Sequence, residues 1–211
     1  MKTTRFVLLL AALLCGPALP QIPAQRSSLP ADEPSPARLL ADLSHGGYVL
    51  YFRHAATDFS QNDEKMTSYE DCAGQRNLID RGRAEARAAS ATIRELKIPI
   101  QRVLASPFCR TVETAQLLFG KVEKMQEVRG GPATPPESER YAPLRKILAT
   151  PVAPGGNLVV VSHGNPFYSV AGPPYLAEGE AAVVAPLDTD FRIVARVRID
   201  AWEAFKSVAP K

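Results

Sequence analysis

The apolar positions fall into short blocks whose spacing changes along the chain. Phe6 to Leu14 is an unbroken apolar run behind Lys2 and Arg5, with Gly16, Pro17 and Pro20 after it. A basic start, a short apolar stretch and helix-breaking residues read as a secretory signal peptide. The run is too short for a membrane span, which needs roughly 20 apolar residues. Ala18 and Ala24 are both plausible last residues of the signal, and Cys15 opens a lipoprotein alternative. The six prolines from Pro17 to Pro36 argue against a buried N-terminal helix. The expected division is a signal over 1–24, a proline-rich leader over 25–35 and one domain over 36–211.

Helical and strand patterns alternate after the leader. Ser35-Pro36 supplies a cap and a first-turn proline, Leu39, Leu40 and Leu43 share a face, and Gly46-Gly47 ends the element. Tyr48 to Phe52 is continuously apolar, as in a strand covered on both faces. Residues 57–77 are polar and loop-like. Asp80 is placed to cap a helix running to about Leu96, with Ala86, Ala89 and Ile93 inward. Arg102 to Ala105 reads as a strand, and a helix follows to Phe119, stopped by Gly120. Val122 to Val128 is expected to be a strand and Gly130 to Pro136 a loop. Tyr141, Leu144 and Leu148 mark a helix. Asn157 to Val161 is a further buried strand, with late strands near Ala181–Ala185 and Phe191–Ile199. This alternation predicts an α/β fold: three layers, a mostly parallel central sheet and helices on both faces.

Composition narrows the picture. The 211 residues are 45% hydrophobic and 22% charged, ordinary for one globular domain. Removing Lys2 and Arg5 with the signal takes the formal charge from +3 to +1. A near-neutral domain has no overall attraction to nucleic acid or anionic lipid, so anion binding must come from a local cluster. Cys72 and Cys109 remain after the signal. An even number in an exported chain suggests one disulfide, and two separate buried thiols are the alternative.

In open parallel sheets, ligands bind beyond the carboxyl ends of the strands. Three predicted strands end in Arg53-His54, in the segment before Arg110, and in His163. Arginine offers a planar fork of donors matched to phosphate oxygens, and histidine is a nucleophile or donor near neutral pH. Two of each on one rim make a pocket for a phosphoryl group, with guanidinium charge in place of a metal ion. The sequence has no HExxH and no dense His/Asp ligand cluster.

The residues Arg53-His54-Ala55, Ser106-Pro107-Phe108-Cys109-Arg110 and Ser162-His163-Gly164 resemble the three signatures of the histidine phosphatase superfamily, also called phosphoglycerate mutase-like. Cys72 to Leu78, Gly82-Arg83 and Thr111 to Ala115 are similar to further segments of its small bacterial members. The resemblance implies a phosphoric monoester hydrolase of the histidine acid phosphatase type, with no cofactor. His54 would take the phosphoryl group as a phosphohistidine, Arg53 and Arg110 would clamp its oxygens, and His163 would hydrogen-bond them. Thr57 would line the pocket. Arg76 and Arg83 would either reach the substrate or remain surface charges. Ala55 stands where the family carries glycine, tolerable at negative φ. The proton donor is expected to be Glu180, with Glu178 as its like-charged neighbour, against Glu127, Glu137 and Glu139. The implied partner is a phosphorylated small molecule or envelope sugar, with no nucleic acid and no stable membrane insertion. A phosphomutase and an inactive phosphate- or phosphosugar-binding module are the competing readings. The implied location is periplasmic or secreted.

Overall fold

A computed structural model describes residues 33–129 and 140–209. The expected signal peptide, most of the leader, and Glu137 and Glu139 lie outside the described residues.

Helix α1 spans Pro36–His45, with the Ser35 hydroxyl accepting from the Arg38 N–H as its cap. Gly46 follows at φ +81°, and a Cβ there would sit 2.4 Å from the Gly156 nitrogen. Glycine is thus needed both for the turn and for the close backbone approach. Strand β1 is Val49–Arg53 and helix α2 is Asp80–Glu95. Strand β2 is Ile100–Ala105 and helix α3 is Cys109–Phe119, closed by Gly120 in the left-handed conformation. Strand β3 is Glu123–Lys124, helix α4 Ala142–Ala149 and strand β4 Asn157–Ser162. Helix α5 is Gly164–Ala171, followed by strands β5, Ala181–Pro186, and β6, Phe191–Val197. A 3₁₀ segment over Ala201–Val208 ends the described chain.

The sheet order is β3-β2-β4-β1-β5-β6. β3, β2, β4 and β1 run parallel, and β5 and β6 are antiparallel to their neighbours. Alternation along β1 shows why its sequence is apolar throughout. Leu50 and Phe52 pack with α1, α2, α3 and the C-terminal Trp202 and Phe205, while Val49 and Tyr51 pack with Leu144, Leu148 and Phe167 on the opposite face. The fold is therefore the three-layer α/β/α arrangement expected.

Four local expectations need correction. Asp80 is not the cap of α2: Ile79 holds that position without a side-chain hydrogen bond, and Asp80 lies in the first turn, paired with Arg83. Val122–Val128 is not one strand. β3 stops after two residues and a 3₁₀ turn, Gln126–Val128, brings Val128 under the sheet, where its carbonyl accepts from the Ser162 hydroxyl at 2.7 Å. Helix α5 and the C-terminal 3₁₀ segment were not expected.

Candidate active site

The central strands β2, β4 and β1 are neighbours, and their ends are level: Ala105 pairs with Val161, and Arg53 with Ser162. This register places His54, His163 and the start of α3 on one rim. A cavity of about 360 Å³ opens there, lined by Arg53, His54, Arg76, Arg110 and His163. Its remaining wall includes Asp63, Phe108, Arg129, Arg140, Asn165 and Tyr175.

His54 is 1% exposed. Its Nδ1 lies 3.0 Å from the Ala55 carbonyl oxygen. A carbonyl only accepts, so Nδ1 carries the proton and Nε2 keeps its lone pair in the neutral ring. Burial pushes the His54 pKa down to about 3, and Arg110, Arg53 and Arg76 push the same way. Ala55 is fully buried, and among the described residues the positive-φ non-glycine positions are Lys97 and Asp188, so the expected tolerance of alanine there holds.

His163 stands at the N-terminus of α5, its ring centroid 5.6 Å from that of His54 and 5.1 Å from that of Phe108. Its Nε2 is 2.8 Å from the Ser106 hydroxyl, and its carbonyl accepts from the Tyr51 hydroxyl at 2.8 Å. Burial first, and then Arg110, holds its pKa well below the usual imidazole range. Gly164 allows the close approach of Tyr175, since a Cβ there would fall 2.1 Å from the Tyr175 ring.

Two buried imidazoles that stay neutral when folded fix a pH dependence. The unfolded chain binds protons on both as pH falls through about 6.5, whereas the folded chain does not bind one on His54 until pH is near 3. Stability is therefore present above pH 6.5 and is lost as pH falls below it, at about 1.4 kcal/mol per pH unit for each such histidine. Urea titrations from pH 7 to pH 4 should show this decline, and His54→Asn should flatten it. An equal slope in both proteins would reject the assignment.

The arginines are held by their outer nitrogens. Arg53 Nη1 donates to the Leu176 carbonyl at 2.8 Å, and Nη2 lies 3.5 Å from Glu178 Oε1. Arg110 donates from Nη1 and Nη2 to the two Asp63 oxygens at 2.9 and 3.0 Å, and Nη1 lies 3.4 Å from the Arg76 carbonyl. The Nε atoms of Arg53, Arg76 and Arg110 are buried without a hydrogen-bond partner. Buried donors in this condition are rare in native proteins and call for an explanation.

The other expected site residues divide. Arg76 lines the cavity; Arg83 does not, and pairs instead with Glu113 at 2.6 Å, tying α2 to α3. Thr57 is buried and does not line the cavity, its hydroxyl donating to Glu178 Oε1 at 2.6 Å. Glu180 is not in the cavity lining: its Oε2 accepts from the Ala177 N–H at 2.7 Å, and its Oε1 faces Arg196 at 3.9 Å. Glu178 lies nearer the centre, 3.9 Å from His54 Nδ1. Glu127 is exposed and also outside the lining. Sequence reasoning missed Asp63, Ser106 in its contact with His163, and Tyr175. Ser106 sat inside a quoted motif, whereas Asp63 lies in a polar loop with no signature.

Cys72 and Cys109 form a disulfide with a Cα–Cα distance of 5.7 Å. It joins the 57–77 loop to the first residue of α3, immediately before Arg110.

The family model of the histidine phosphatase superfamily, branch 1, matches residues 49–131. Among solved structures, the protein histidine phosphatase SixA complexed with tungstate is similar at 20% identity and a TM-score of 0.50, over 72% of this chain and 97% of that one. Phosphoglycerate mutase from Bacillus anthracis str. Sterne gives 13% and 0.52 over 78% and 99%. Mycobacterial glucosyl-3-phosphoglycerate phosphatase complexed with VO3 gives 13% and 0.52 over 70% and 96%. At these identities the likeness is one of fold. No match was found among the curated proteins. The segment matched by the histidine phosphatase superfamily model carries the first two strand-end motifs, and the fold brings the third beside them on one rim.

Proposed function

We propose that this chain hydrolyses phosphate monoesters through a phosphohistidine on His54. The observation that carries the reading is the fixed tautomer of a neutral, buried His54, with Nε2 as its lone-pair atom in a cavity lined by Arg53, Arg76 and Arg110. In the first step Nε2 attacks phosphorus, the N–P bond forms and the bond to the ester oxygen breaks. A poor leaving group takes a proton from solvent water as it departs; a p-nitrophenolate needs none. In the second step water attacks phosphorus, the N–P bond breaks back to Nε2, and phosphate leaves. The arginines offset the charge on the transferring group, and His163 donates to it, with Ser106 fixing the ring.

The guanidinium edges support this division of labour. Arg110 has one edge on Asp63 and another nitrogen proton toward the Arg76 carbonyl, so the remaining fork is Nε–H with the second Nη2–H. Arg53 is also anchored through its outer nitrogens, on the Leu176 carbonyl and Glu178, and its Nε–H is likewise without a partner. Phosphate oxygens would satisfy both donors. Lysine has no such fork. Arg110→Lys is expected to lose at least ~1.5 kcal/mol of transition-state stabilisation, about tenfold in kcat/KM. An unchanged kcat/KM would remove Arg110 from the site.

We infer further that turnover is metal-independent, because the guanidinium cluster supplies the positive charge. EDTA should leave kcat/KM within twofold, and a chelation loss restored by added metal would overturn this. The acid stays unassigned to Glu180, whose carboxylate is committed elsewhere. The disulfide and the N-terminal pattern favour a periplasmic or secreted enzyme acting on phosphorylated small molecules or envelope sugars. Among the described residues, no helix is long and apolar enough to cross a membrane. Rapid-quench labelling with a phosphate ester is the decisive experiment. Trapped acid-labile phosphate on His54 supports the hydrolase, and its absence during turnover rejects it.

A further inference from the structure

Asp63 is the cavity residue whose purpose is least obvious. A carboxylate in an anion site opposes the ligand unless it has a task there. Its two oxygens receive both outer nitrogens of Arg110, at 2.9 and 3.0 Å. This is also how a phosphate would sit on that edge. Asp63 could therefore compete with phosphate for Arg110 or hold Arg110 in position for it.

The surroundings decide between these roles. Asp63 is not a loose plug: its Oδ1 also accepts the Arg76 backbone N–H at 2.9 Å. The loop bearing it is secured again nearby. Gln75 Oε1 accepts the Cys109 N–H at 2.9 Å, its Nε2 donates to the Tyr69 carbonyl at 3.1 Å, and Cys72 is bonded to Cys109. Arg110 is 5% exposed, with its guanidinium carbon 4.5 Å from the centroid of the Phe108 ring. A planar group with one face on an aromatic ring keeps one freedom that matters, rotation within its plane. Two hydrogen bonds to a fixed carboxylate remove it. They also leave the Nε edge as the one for a ligand, and Nε is the Arg110 atom without a partner.

We propose that Asp63 is a positioning residue for the reaction: it fixes the in-plane orientation of Arg110 so that the Nε edge, and not the outer edge, receives the phosphoryl group. This rests on the phosphatase reading only for what the phosphoryl group does next; the binding step stands apart from it. The role differs from that of a proton donor, since Asp63 acts through Arg110.

A double-mutant cycle tests the coupling. Wild type, Asp63→Asn, Arg110→Lys and the double variant would be compared in two assays: kcat/KM on p-nitrophenyl phosphate, and calorimetric binding of inorganic phosphate, with a melting curve for each protein. Asp63→Asn keeps the size of the side chain but replaces one acceptor with an NH₂ that faces another donor. The expected result is phosphate affinity weakened at least tenfold in Asp63→Asn, and a double variant within about twofold of Arg110→Lys. Losses that multiply would show that Asp63 does not act through Arg110 and overturn the proposal. Tighter phosphate binding in Asp63→Asn would establish the competing plug and overturn it equally. Should Asp63→Asn fail to fold, Asp63→Glu carries the same test: the carboxylate is retained but displaced by one methylene, and unchanged phosphate affinity would sink the positional argument. A wild type that binds phosphate but releases no product refutes the phosphatase reading and leaves the binding cycle to judge Asp63. A wild type that binds no phosphate refutes both.

Discussion

His54→Ala is expected to reduce phosphatase turnover on the order of a thousandfold or more, the scale reached when the nucleophile of a covalent mechanism is removed. The fold should survive, because His54 lines the cavity and belongs to neither apolar cluster. The sheet at that point is held by Phe52 and Ala55, both fully buried, and by the backbone bond from the His54 N–H to the Ser162 carbonyl. Removing the ring also removes a buried group that resists protonation, so the melting temperature at pH 5 should rise or hold relative to wild type. Turnover within tenfold of wild type would eliminate His54 as nucleophile. Restoration by added imidazole would support it, since a free ring in the vacated space can offer the same lone pair.

The rim was legible in the sequence for a physical reason. Strands buried on both faces read as unbroken apolar runs, so Tyr48–Phe52 and Asn157–Val161 identified themselves, and the polar residue ending each run marked the ligand edge. What the sequence concealed depends on tertiary contacts. Helix α5 has eight residues, begins directly after His163 and contains Gly164, Asn165 and Pro166 in its first turn, which reads as a loop by local propensity. Trp202 and Phe205 lie in a 3₁₀ segment whose identity comes from packing beneath β1, where Trp202 stacks on Phe52 at 6.0 Å. The direction of β5 and β6 was likewise not encoded in their own residues. Glu178 and Glu180 show the same limit at the site. They differ by two positions, yet one lies against His54 and the other against Arg196. Gly179 between them has φ +75°, a turn that sends the flanking carboxylates to different surroundings.

Opening the Cys72–Cys109 bond is expected to cost stability and activity together. The bond closes a loop of 37 residues, for which the chain-entropy relation gives about 4 kcal/mol. A paired Cys72→Ser and Cys109→Ser replacement should therefore lower the free energy of unfolding by a few kcal/mol, read as a shift in the urea midpoint at unchanged slope. The effect on activity has a separate route. Residues 57–77 carry Asp63 and Arg76 into the cavity, and this stretch has only short 3₁₀ structure, over Cys72–Gly74. Without the bond, it is held to α3 by the Gln75–Cys109, Asp63–Arg110 and Arg76–Arg110 contacts, which are hydrogen bonds that local opening can break. The paired variant should bind phosphate several-fold more weakly even at temperatures where it is fully folded, with the loss appearing in KM before kcat. The Cys72 side is exposed, so reduction of the native protein by a small dithiol should reproduce the same change without mutation, and reoxidation should reverse it. Full activity of the folded, reduced protein would show that the loop holds its geometry unaided, and two free thiols in the denatured, unreduced protein would show that the bond does not form in solution.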